Sequence, residues 1–66
     1  MSHPRDVAWK LTGSSTMQLA EGVDWGDPMV RVEVRLDART LSASLKRRIV
    51  IANPRGEVIE SVEVPR

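Results

Sequence analysis

The strongest local instruction in this 66-residue chain lies between Arg47 and Val64, where two β-branched runs flank Asn53-Pro54-Arg55-Gly56. Asn offers a short polar side chain at the first turn position, Pro fixes φ at the second, and Gly frees the fourth, a pattern that favours a type I turn. Ile and Val on either side are stiff at χ1 and suit a pleated surface. The stretch therefore reads as a β-hairpin.

A slip of one residue would exchange the two faces of each strand, so the register matters. With Asn53 to Gly56 as a four-residue loop, Ala52 opposes Glu57 and Ile51 opposes Val58. One face then collects Leu45, Ile49, Ile51, Val58, Val62 and Val64, interrupted by Arg47 and Glu60, while Lys46 faces Glu63 as an opposite-charge pair. With only Pro54 to Gly56 in the loop, Asn53 opposes Glu57 and the apolar residues divide more evenly. The four-residue loop is the preferred expectation.

Upstream, Met29 to Leu36 alternates: Val30, Val32, Val34 and Leu36 on one side, Met29, Arg31, Glu33 and Arg35 on the other. That is a period of two, and it predicts a strand. For Leu41 to Lys46 two readings compete. As strand, Leu41, Ala43 and Leu45 run on into Ile49 and Ile51. As helix, Asp37 caps a segment over 37–48. Thr40, Ser42 and Ser44 are mediocre helix formers, which favours the strand. The expected fold is therefore all-β, a small antiparallel sheet or open barrel of about five short strands built on a meander 29–36, 41–52 and 57–64. The helical reading would make it α+β.

Before Met29, Asp6 to Leu11 places Val7, Trp9 and Leu11 on one face of a first strand, and Thr12 to Ser15 reads as a turn. Thr16 to Glu21 carries both strand alternation (Met17, Leu19) and helix-end signals (Ser15 with Gln18, Gly22); a hairpin with the first strand favours the strand. Glu21 to Pro28, with two Gly, one Pro and three acids, is a loop. Trp25 inside it either folds over the end of a core that has no Phe or Tyr, or anchors a partner.

So short a chain makes a single domain, residues 1–66, with 1–5 expected to be loose. It has no Cys, and hence no disulfide framework or thiolate metal site. A small core without staples favours self-association or a bound partner. The first residues lack the apolar core of a signal peptide and no stretch reaches membrane-spanning length, so a cytoplasmic protein without membrane contact is expected.

Chemistry is sparse. His3 stands near the amino end, Ser14-Ser15-Thr16 has no placed base, and Glu21, Asp24 and Asp27 match no Ca²⁺-loop spacing. No cofactor, metal site, small-molecule substrate or catalytic residue is indicated. Charge is uneven, however. Residues 29–56 hold seven basic residues against two acidic ones, and both flanking segments are net acidic. The favoured expectation is a non-enzymatic binding or regulatory module working through protein contacts as a homodimer or higher oligomer, with Trp25, Arg47 and Glu60 as contacts. The alternative is a DNA- or RNA-binding protein using Arg31, Arg35, Lys46, Arg47 and Arg48 against phosphates.

Overall fold

The computed structural model describes residues 8–66, in which one helix packs on a four-stranded sheet. The elements in order are β1 (Trp9–Leu11), β2 (Thr16–Leu19), α1 (Pro28–Leu45), β3 (Ile49–Ala52) and β4 (Val58–Val62). Strands lie in sequence order, antiparallel for β1–β2 and β3–β4 but parallel for β2–β3. Parallel neighbours need a crossover, and α1 supplies it.

The strand expected over 29–36 and the long strand over 41–52 are both overturned. Met29 to Leu45 belongs to α1, and only Ile49–Ala52 remains as strand. The sheet is therefore mixed, with four strands among the described residues, and the antiparallel meander and the open barrel are not formed. The Val alternation misleads because Val30 and Val34 also sit four residues apart, in line with Ala38 and Ser42 on one helical stripe. Val34, Ala38 and Ser42 are buried, whereas Val32 and Leu36 stay about half exposed at 54% and 51%.

Caps decide the issue locally. Asp27, not Asp37, is the N-cap: its Oδ1 accepts from the Met29 N–H at 2.9 Å, and Pro28 follows at the start of the helix. At the other end Lys46 turns left-handed (φ 56°) and its N–H donates to the Ser42 carbonyl. The buried Ser42 hydroxyl donates to the Arg47 carbonyl at 2.7 Å, which satisfies it where water cannot reach.

The two hairpins emerge as expected in outline. β1 and β2 pair with Trp9 opposite Leu19 and Leu11 opposite Met17; Asp6 and Val7, assigned above to the first strand, lie outside the described residues. In the second hairpin the Gly56 N–H donates to the Asn53 carbonyl at 2.9 Å, and Gly56 takes a positive φ of 91°. Asn53 Oδ1 accepts from the N–H groups of Arg55 and Glu57. The preferred register is corrected: Ala52 faces Val58, and an irregularity next to it sets Ile51 opposite Glu60 and Ile49 opposite Val62. The loop is the three-residue one, because the Asn53 N–H bonds to the Glu57 carbonyl at 2.8 Å. Lys46 is consequently a helix cap and does not face Glu63 across strands.

Met17, Leu19, Ile49 and Ile51 from the two central strands meet Val34 and Ala38 of α1 in one core. Trp9, Val23, Trp25, Val30, Leu41 and Val62 close its margin. Trp9 also donates from Nε1 to Asp37 Oδ2 at 2.9 Å, which ties β1 to the helix. No helix of the described residues is long and apolar enough to cross a membrane.

Removing the cap with Asp27→Ala is expected to cost about 1 kcal/mol. Met17→Ala, which empties the centre of the core, should cost about 2–5 kcal/mol. Urea unfolding followed by circular dichroism measures both, and equal small losses would show that the core does not sit where Met17 is.

Candidate functional site

Where the parallel pair ends, the two chains part company. After Leu19 the chain climbs through 20–27 to reach α1, whereas after Ala52 it turns back in the plane of the sheet to make β4. Diverging connections at the carboxyl ends of neighbouring parallel strands leave a crevice between them. Here the crevice is an open cleft of about 520 Å³. Leu19, Val23, Trp25 and Ile59 give it an apolar floor, and Glu21, Asn53, Pro54 and Arg55 stand around it.

Trp25 is positioned by two successive turns. The Val23 N–H donates to the Ala20 carbonyl at 3.3 Å, with Gly22 at φ 88°, and the Asp27 N–H donates to the Asp24 carbonyl at 3.1 Å. Asp24 Oδ1 also accepts from the Gly26 N–H at 3.0 Å. From the other side the Arg35 guanidinium lies 5.8 Å from the centre of the Trp25 ring, within cation–π range. Arg35 in turn forks onto Glu60, with Nη2 donating to Oε1 at 2.7 Å and Nε to Oε2. Loop, helix and β4 are thus joined through one side chain.

That pairing sets the charges. The hydrogen bond from Arg35 lowers the Glu60 pKa below the usual carboxylate value, partial burial opposes the shift, and the positive charges of Arg35 and Arg31 add to it. Arg35 is raised by the same hydrogen bond. Glu60, which the register brings onto the helix side of the sheet, therefore stays ionised against α1. Arg31 Nε is enclosed without an acceptor, and the attraction of its charge for Glu60 offsets part of the cost.

Of the three contacts read from the sequence, Trp25 and Glu60 come together through Arg35, while Arg47 lies at the far end of α1, exposed in the turn before β3. The basic set also divides. Arg31 and Arg35 are one turn apart on α1, and Lys46, Arg47 and Arg48 cluster beyond its carboxyl end. Sequence reading missed Ile59, Leu19 and Val23 as cleft residues, because nothing in a strand-only chain would bring the end of β2 beside the Asn53 turn. Asp27-Pro28 was the available signal: an N-cap followed by Pro implies a helix, and a helix between two strands implies the crossover. Among the described residues no group of three His, Asp or Glu side chains is placed to hold a metal. Asp24 and Asp27 each commit an oxygen to the backbone.

No known protein family, no characterised protein and no solved structure matches the chain.

Because the Glu60 pKa is lowered in the folded state, its contribution to stability is fully present above the ordinary glutamate range and disappears as pH falls through the lowered value. Glu60→Gln should therefore unfold at lower urea concentration than the wild type at neutral pH, and the two curves should merge in acid. A constant gap down to strongly acid pH would exclude the charge as its source.

Proposed function

We propose that the protein is a small non-enzymatic binding module that engages another polypeptide through the Trp25 cleft. What supports this reading is the combination of an apolar floor with a tryptophan held in place before any ligand arrives. About 520 Å³ lies within the usual range of ligand pockets, about 300–1,000 Å³. An incoming apolar side chain would be received against Leu19, Val23 and Ile59 and the Trp25 ring. Little ordering is needed on this side of the contact, since two turns and Arg35 already hold the ring, and preorganisation of that kind spares affinity. Glu21 and Arg55, both exposed, stand at the rim to select the charge of neighbouring residues.

Affinity capture with wild type and variants tests this. Trp25→Ala should weaken retention of a partner about tenfold or more, as expected of a central aromatic anchor. Ile59→Ser, at a residue 37% exposed, should weaken it while leaving the fold intact by circular dichroism. A partner retained equally by all three proteins would place the contact elsewhere.

A second reading, nucleic-acid contact, draws on one observation: Arg31, Arg35 and Arg39 follow one another at four-residue intervals along α1. Such a ridge could run beside phosphates. It ranks lower because Arg35 is already engaged by Glu60. In a mobility shift with mixed DNA and RNA, retardation at low salt that an Arg31→Ala, Arg39→Ala double variant abolishes would favour this reading; no retardation removes it.

A further inference from the structure

The two ends of the α1–sheet layer carry opposite charge. At the end where β2 and β3 finish, the loop into α1 presents Glu21, Asp24 and Asp27, all exposed. Arg55 and Glu57 on the adjacent turn pair with each other at 3.1 Å, and Lys10 of β1, which lines a hollow together with Glu21, offsets one of the three acids. At the opposite end, where α1 stops and β3 begins, Lys46, Arg47 and Arg48 are consecutive and exposed. Helix α1 runs between them for 18 residues, about 27 Å at 1.5 Å per residue. One charge at each end would serve the helix dipole. With Lys10 set against the three acids, and Glu63, next to Val62 opposite Ile49, set against the three cations, a surplus of opposite sign still remains at each end and makes two complementary surfaces.

Each surface also has an apolar component. The acidic end holds the Trp25 cleft. The basic end holds Leu45, the last residue of α1, 38% exposed and immediately before Lys46. We infer that the occupant of the Trp25 cleft is a second copy of this chain, which presents Leu45 to the apolar floor and Lys46, Arg47 and Arg48 to the acidic loop. This rests on the proposed role of the cleft in binding a polypeptide and names the polypeptide.

The contact joins unlike surfaces, so a pair of copies keeps one free acidic end on one copy and one free basic end on the other. Growth is head-to-tail and proceeds to a ring or an open filament rather than stopping at a two-fold dimer. Opposed exposed charges make it sensitive to salt, because screening acts within about 8 Å at physiological ionic strength.

Sedimentation equilibrium tests the inference on three proteins. The wild type should show a mass that rises with concentration beyond a dimer, weakened about tenfold or more between about 0.05 M and about 0.5 M salt. Glu21→Lys with Asp24→Asn spoils the acidic end and keeps an amide oxygen for the Gly26 N–H; Arg47→Glu with Arg48→Glu spoils the basic end. Each variant alone should be monomeric, and an equimolar mixture should form a dimer and grow no further, since one intact acidic end and one intact basic end remain. Association persisting in either variant alone, or a monomeric mixture, overturns the inference; the former would point to the exposed Met29, Val32 and Leu36 on the outer side of α1.

A monomeric wild type also overturns it, and a peptide Leu-Lys-Arg-Arg then separates it from the reading beneath. If the peptide shifts the Trp25 indole N–H resonance, the cleft binds basic polypeptides other than this chain. If neither peptide nor protein concentration moves that resonance, the binding role of the cleft falls as well.

Discussion

The parallel pairing of β2 with β3 governs this molecule. It places Thr16 beside Val50 and Met17 beside Ile51, so that the most buried side chains come from segments far apart in the chain. A hairpin cannot make that contact; only a crossover can, and α1 is long enough to return the chain to the starting edge. Once the crossover is in place, Val34 and Ala38 cover the central strands, and the loop that begins it must leave the sheet at the point where the Asn53 turn stays within it. The cleft is a by-product of that divergence.

Trp25, Arg35 and Glu60 then fix what the divergence leaves open. The ring rests against a guanidinium whose direction is set by a carboxylate on another element. An exposed ion pair contributes little to stability when taken alone. Its value here is geometric, since it determines where an aromatic surface stands relative to Leu19 and Ile59. The proposed contact between copies uses this prepared surface together with the charge difference between the two ends.

Local turn chemistry was readable in the residues. Asn53-Pro54-Arg55-Gly56 closes a hairpin, Thr16 to Leu19 is a strand, and Glu21 to Asp27 is a loop with Trp25 folded against the core margin. What the residues misreported was α1, because Val at every second position satisfies a strand template while Val30, Val34, Ala38, Leu41 and Ser42 satisfy a helical one. Propensity sided with the strand, but burial along one stripe and the Asp27-Pro28 cap sided with the helix. The register of β3 with β4 was also misplaced. A bulge adds one residue to one strand without leaving a mark that composition or alternation discloses, and it is this shift that sets Glu60 opposite Ile51.

The bracketing of the helix by two hairpins has a kinetic consequence. β1 with β2, and β3 with β4, are contacts between near neighbours in the chain, and hairpins of this kind close in about 1–10 μs. The seam between Met17 and Ile51 spans 34 positions, so its loop-closure entropy must be met before its packing is gained. The slow part of folding is thus expected at this seam rather than at either turn, and substitutions at Met17 or Ile51 slow folding to the extent that the seam is formed in the transition state.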